Sequence, residues 1–257
     1  MVKTALITGA SSGIGYELAF LFANDRYNLV LVGRNAIILE KLAADLAERH
    51  GIQALPIPVD LAQPGAAQTI LNIVEREKLQ VDVLVNNAGF ALNGPFASLD
   101  TQGQLDEIQV NITALTHLTR LFLPAMVARK FGGILNVAST AAFVPGPMMA
   151  VYYATKAYVL SFTEALANEV AADGIIVSCL CPGATITDFQ KRAGLQAKKL
   201  FTGPTVMDAA TVARIGFDGF KNRKRVVVTG AFNQLAVFFS RFVPRAMSAS
   251  VTRGLQE

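Results

Sequence analysis

Short runs of consecutive apolar residues alternate along the chain with longer stretches whose apolar positions recur every three to four residues. The runs at 2–8, 29–32, 54–59, 81–85, 134–138 and 175–180 read as strands, and 226–229 offers a seventh. Continuous β-branched runs of this kind belong to a parallel sheet covered by helices on both faces. Helical periodicity predicts helices over 14–24, 36–49, 65–78, 105–130 and 152–172, and again over 188–200 and 208–220. Strand–helix alternation implies right-handed crossovers and a doubly wound α/β fold with a mostly parallel seven-stranded sheet. No repeat, low-complexity linker or boundary precedes about residue 190. One domain therefore spans 1–257, with a substrate lid over about 188–220 and a basic amphipathic segment over about 232–257.

Composition narrows the class. With 52% hydrophobic and 16% charged residues, general disorder is excluded, and 257 residues are ample for a sizeable core. Cys179 and Cys181 are the only cysteines. Two residues apart on a predicted strand, they share a face and cannot easily bridge, so they read as core residues of a reducing compartment. The first residues are too few and too glycine-broken for a signal peptide, and no stretch approaches the roughly 18 apolar residues of a membrane span. A soluble, cytoplasmic protein is expected. His50 and His117 lack metal-ligand spacing, so no metal is expected.

The net charge of +4 hides a split. Residues 1–190 carry 11 Lys and Arg against 16 Asp and Glu, whereas 191–257 carry 12 against 3. The basic tract Lys221-Asn222-Arg223-Lys224-Arg225 has no aromatic platform beside it, which argues for a solvated turn and against nucleic-acid binding.

The first strand runs into Thr8-Gly9-Ala10-Ser11-Ser12-Gly13-Ile14-Gly15 and a helix. Such glycines allow a tight turn and close backbone approach to a pyrophosphate at the positive helix N-terminus. Further along stand Asn86-Asn87-Ala88-Gly89, Asn111, Ser139, Tyr152-x-x-x-Lys156, Pro182-Gly183 and Thr187, each placed after or near a predicted strand. In this spacing and order the chain resembles the short-chain dehydrogenase/reductase family. The resemblance implies a Rossmann-type domain and a nicotinamide cofactor held by Gly9, Ser11, Ser12, Gly13, Ile14 and Gly15. It adds Asp60 near the adenine, Asn86, Asn87, Ala88 and Gly89 along the ribose side, and Pro182, Gly183 and Thr187 near the nicotinamide. Asp60 reads equally as a turn residue. At the end of the second strand, where an NAD-preferring site places a carboxylate, the chain has Gly33-Arg34-Asn35. An arginine binds a ribose phosphate that a carboxylate would repel, so NADP(H) is the expected cofactor.

Tyr152 and Lys156 share a helix face at i and i+4. A free phenol ionises near pH 10, and a neighbouring ammonium favours the phenolate. By resemblance, Tyr152 is the general acid/base, Ser139 hydrogen-bonds the substrate oxygen, Lys156 holds the nicotinamide ribose, and Asn111 supports a proton relay. Tyr153 competes by adjacency, but the register Tyr-x-Ala-Thr-Lys selects Tyr152.

The loops at 90–96 and 143–149, and the residues from Phe189 onward, are rich in Phe and Met, with almost no charge in these loops before Asp188. They suit an apolar carbonyl substrate better than a sugar. Pro145-x-Pro147 is similar to relatives acting on 3-ketoacyl thioesters and hydroxysteroids. The expected activity is NADPH-dependent ketone reduction. Oxidation of an alcohol and a non-catalytic cofactor-binding scaffold are the alternatives. A basic lid suits an anionic carrier of the substrate. In the basic tail, packing within the fold or between subunits is favoured over contact with anionic lipid. By analogy with relatives, a homodimer or homotetramer is expected.

Overall fold

The computed structural model describes residues 2–194 and 205–256. Seven parallel strands form one sheet: β1 (Thr4–Thr8), β2 (Asn28–Gly33), β3 (Ala54–Pro58), β4 (Val83–Asn86), β5 (Gly133–Val137), β6 (Ile176–Cys181) and, last in the chain, β9 (Val226–Val228). Their order across the sheet is β3-β2-β1-β4-β5-β6-β9. The direction of winding reverses between β1 and β4, which opens a crevice at the carboxyl ends of those two strands. A separate parallel pair, β7 (Thr185–Ile186) with β8 (Met207–Asp208), has only two residues in each strand and left no periodic trace in the sequence.

Helices cover both faces. On one side lie α1 (Gly13–Asn24), α2 (Ala36–His50) and α8 (Ala209–Lys221), burying Leu18, Phe22, Leu39, Leu46, Val212 and Phe217 against the sheet. On the other lie α3 (Ala66–Arg76), α5 (Leu115–Ala128) and α6 (Ala150–Glu169), contributing Ile70, Val74, Leu118, Phe122 and Leu166. Their ends are written in the sequence. Asn35 caps α2 by accepting from Ile38 N, and the left-handed Gly51 (φ 64°) stops it. Asp208 caps α8 by accepting from Thr211 N at 2.7 Å.

The stretch expected as a single helix over 105–130 begins earlier and is interrupted. It consists of α4 (Thr101–Ile108), a π-helical turn over Gln109–Ala114, and then α5. The extra residue in each turn of that segment re-aims one side chain, and Asn111 sits in it.

The lid expected over about 188–220 also narrows. Helix α7 (Asp188–Arg192) borders the crevice, and residues 195–204 lie outside the described residues. Helix α8, by contrast, is a wall of the core: Phe217 meets Phe22 edge-to-face at 4.9 Å between ring centroids. Lys221, Arg223, Lys224 and Arg225 are exposed, as expected of a solvated turn, and Lys221 pairs with Asp25. They precede β9 and so stand at the edge of the sheet opposite the crevice. A third of the basic residues after position 190 is therefore remote from any substrate. Cys179 and Cys181 are buried free thiols with their sulfurs 3.7 Å apart. Among the described residues no helix is long and apolar enough to cross a membrane.

Candidate active site

The β1–α1 loop and the β4 exit are laced together. Thr8 Oγ1 accepts from the backbone N–H groups of Asn87 and Ala88, both at 3.0 Å, and donates to Val85 O. The Asn87 side chain donates back to Thr8 O at 2.9 Å and Gly9 O at 3.3 Å. The side chain of Ser12, at the N-cap of α1, does not cap that helix, so the dipole end faces the crevice.

A cavity of about 550 Å³ occupies the crevice. Gly9, Ser11, Ser12, Gly13 and Ile14 line one end with Arg34 and Asp60, and Asn87, Ala88 and Gly89 line its middle. Ser139, Tyr152, Lys156, Pro182, Gly183 and Thr187 complete it. Arg34 is exposed at the rim, with no carboxylate in ion-pair range among the described residues. Asp60 is both a lining and a turn residue, accepting from Ala62 N at 3.0 Å.

Three expected residues are placed differently. Gly15 does not face the cavity; it lies beneath the loop, where a Cβ would stand 2.3 Å from Asn87 Nδ2 and 2.4 Å from Gly9 O. Its contribution is close packing. Asn86 points into the core, donating to Thr119 Oγ1 at 3.1 Å and Asn136 Oδ1 at 2.9 Å, because alternate residues of a strand face opposite sides and its neighbour Asn87 takes the crevice. Asn111, only 1% exposed, stands behind Gly89 rather than on the cavity wall. Its amide clamps Phe90, accepting from the backbone N at 3.1 Å and donating to the O at 2.9 Å, and it also donates to Thr155 Oγ1.

Ser139 leaves β5 and Tyr152 and Lys156 leave α6, so two elements packed side by side bring the three together. Tyr152 is hydrogen-bonded with Ser139, and Lys156 Nζ lies 5.7 Å from the centre of its ring. The ring of Phe189 flanks it at 5.4 Å. Lys156 is buried and donates to Val137 O at 2.8 Å. Tyr153 also lines the cavity, but it is 8% exposed and its ring packs on Gly146, where an added Cβ would fall within 2.2 Å of it.

Burial decides the protonation of this pair. It pushes the Tyr152 phenol above its ordinary value, against the opposing effect of the Ser139 hydrogen bond. It also lowers Lys156 to about 8. Desolvation disfavours both charged forms and sets both directions in the protein alone.

One charged residue that sequence reasoning passed over belongs here. Glu107 stands one turn before Asn111, is 1% exposed, and accepts from Leu92 N at 3.4 Å while its other oxygen finds no protein donor. Glu107 and Asn111 together hold the backbone at Leu92 and Phe90 as a strand would. A charge at a helical position ordinarily reads as exposed, and only the fold of the 90–93 loop over α4 buries it. Burial raises its carboxyl to about 7, partly opposed by the Leu92 N–H and Lys156. Between the ordinary carboxyl value near 4.5 and 7 the folded state holds the extra proton, so stability falls as pH rises through that window. The full penalty is about 2–3 kcal/mol. Glu107→Gln cannot ionise, so urea denaturation at pH 5 and pH 8 is expected to show this slope in the parent and its loss in the variant.

Residues 3–198 match the short chain dehydrogenase family. The chain is 32% identical over 263 aligned positions to a very-long-chain 3-oxoacyl-CoA reductase of Phaeosphaeria nodorum, over 98% of this chain and 76% of that one. Its structure is similar to that of a short-chain dehydrogenase from Sphingobium yanoikuyae in complex with NADPH, with a TM-score of 0.83, 35% identity and 94% of each chain covered. It is also similar to the bulky-bulky ketone specific alcohol dehydrogenase of Comamonas testosteroni, with a TM-score of 0.80, 32% identity, and 94% and 92% coverage. Identity above 30% along nearly the whole chain, under a family match of that span, settles the kinship: this chain belongs to the short-chain dehydrogenase/reductase family and is an oxidoreductase.

Proposed function

We propose that this chain reduces apolar ketones with NADPH. The observation that carries the reading is a single cavity that joins the glycine loop and Arg34 to Ser139, Tyr152 and Lys156 and ends on Phe143, Val144, Met149, Phe189 and Val237. The residues fit a dinucleotide. The start of α1 is open to an anion, and Gly89 leaves no room for a Cβ, which would meet Asn111 Oδ1 at 3.0 Å and Lys156 Nζ at 3.4 Å. Arg34 at the rim, with no carboxylate beside it, favours the phosphorylated ribose.

When bound, the cofactor supplies a hydride to the carbonyl carbon. Tyr152 donates its phenolic proton to the carbonyl oxygen, and the Ser139 hydroxyl donates a hydrogen bond to the same oxygen as charge develops there. A phenol that burial keeps protonated holds the proton that reduction of a carbonyl consumes. Lys156, fixed by Val137 O, keeps the ribose and the proton path in register with Tyr152. The apolar end of the cavity supports a ketone with hydrocarbon on both sides. The activities of the relatives, a 3-oxoacyl-CoA reductase and an alcohol dehydrogenase specific for bulky-bulky ketones, point the same way.

The test is loss of reduced-nicotinamide absorbance with medium-chain 3-ketoacyl thioesters, steroids and aromatic ketones. Turnover of at least one class supports the reading, and inertness toward all of them with NADPH binding intact overturns it. Arg34→Ala is expected to lower kcat/KM for NADPH by about 10–100-fold and to leave NADH unaffected, the difference a charge-assisted contact makes. An equal effect on both cofactors would remove Arg34 from phosphate recognition.

A further inference from the structure

Beyond β9 the chain continues as α9 (Ala231–Ser240) and α10 (Arg245–Gln256). Helix α9 has two opposed faces. Asn233, Ala236, Val237 and Ser240 line the cavity, with Thr252 of α10 beside them. Turned about half a revolution away at 100° per residue, Leu235, Phe238, Phe239 and Phe242 form an apolar stripe, and Phe232, which also lines the cavity, lies between the two faces. None of the residues of α9 is buried; Phe232 is 65% exposed and Phe242 is 71% exposed. On α10, Met247 and Val251 extend the exposed apolar surface, whereas Ser248 and Thr252 are buried.

Folding alone gives no reason for so many exposed aromatic rings. Burying one large apolar side chain is worth about 1.5–3 kcal/mol, so a contiguous patch of this kind marks a docking surface. Charge selects the occupant. Residues 231–256 hold Arg241, Arg245 and Arg253 and no Asp or Glu. The segment therefore carries three positive charges and no negative one, so two copies meeting through it would bring like charges together. An anionic surface with an apolar interior beneath it suits both the charge of the segment and its exposed phenylalanines.

We propose that α9 and α10 dock this protein on the surface of an anionic lipid bilayer, with Leu235, Phe238, Phe239 and Phe242 entering the acyl boundary. The inner face of α9 is a wall of the cavity, so docking brings that wall to the membrane surface. The docking itself is independent of the substrate proposed above.

The test uses the full chain and vesicles of phosphatidylcholine alone or mixed equally with phosphatidylglycerol. The protein has no tryptophan, so Phe242→Trp introduces a single fluorophore. Its emission is expected to shift to the blue with the anionic vesicles, and high salt is expected to weaken the effect. In co-sedimentation, Phe239→Asp with Phe242→Asp is expected to reduce binding by about tenfold or more. Circular dichroism melting of that variant checks its fold independently of any cofactor. An unshifted tryptophan together with no sedimentation on anionic vesicles overturns the proposal. A wild-type dimer that the double variant converts to monomer, again without vesicle binding, assigns the face to a second copy instead.

Discussion

Tyr152→Phe is expected to lower kcat by about a thousandfold or more, the contribution of a positioned general acid, while Tyr153→Phe retains most of the activity. The two rings are adjacent, 6.1 Å apart between centroids and nearly perpendicular, so the contrast isolates the hydroxyl and its direction. Tyr152 meets Ser139, and Lys156 Nζ lies over its ring. Phenylalanine at 152 keeps the ring against Phe189, so NADPH affinity is expected to survive and the loss to fall on kcat. Steady-state rates together with cofactor titrations separate the two effects. If Tyr153→Phe were the inactive variant, the register of the helix against Ser139 would be wrong.

The second large effect is expected at Gly15, which lies outside the cavity. Gly15→Ala places a methyl group between Gly9 O and Asn87 Nδ2, and neither can easily retreat. Asn87 is held by Thr8 O and Gly9 O, and that carbonyl belongs to the loop proposed to cradle the phosphates. The strain is expected to cost about 1–3 kcal/mol of stability, typical of overpacking, and about a hundredfold or more in cofactor affinity as the loop shifts. Gly254→Ala is the control, since nothing lies within 4 Å of its added carbon. Thermal melting and cofactor fluorescence titration measure the two losses. An unaltered affinity in Gly15→Ala would show that the lacing of loop to strand exit does not shape the cofactor cradle.

The sheet was legible because its central strands are buried on both faces and are therefore mostly apolar, as Leu29, Val30, Leu31 and Val32 are. That Tyr152 and Lys156 are neighbours was legible because their spacing is local: four residues set them on one face of α6. What stayed hidden depends on contacts distant in sequence. Asn86 and Asn87 look alike in the chain, and only the pleat sends one into the core and the other to the glycine loop. Glu107 gains its buried state from a loop that begins at Phe90. The π-helical turn around Asn111 has no periodic signature because it spans a single turn. The tail shows the same limit from the other side: its amphipathic pattern was plain, but the pattern alone did not reveal that the apolar face is left outside.

The buried polar contacts beneath the crevice have a consequence of their own. Asn86 and Asn136 are register partners on β4 and β5, Asn86 donates to Thr119 of α5, and Asn136 donates to Thr163 of α6. Apolar side chains at these places would tolerate small slides; hydrogen-bonded amides accept one alignment. Together they act as a gauge that sets the height of the β5 exit, where Ser139 emerges, against the helix that carries Tyr152. A strand moved by one residue would travel about 3.3 Å, enough to part the two hydroxyls. Variation at Asn136 or Thr163 should therefore be felt first in turnover rather than in melting temperature. The tolerances of the chemistry are kept inside the sheet, out of reach of solvent and substrate alike.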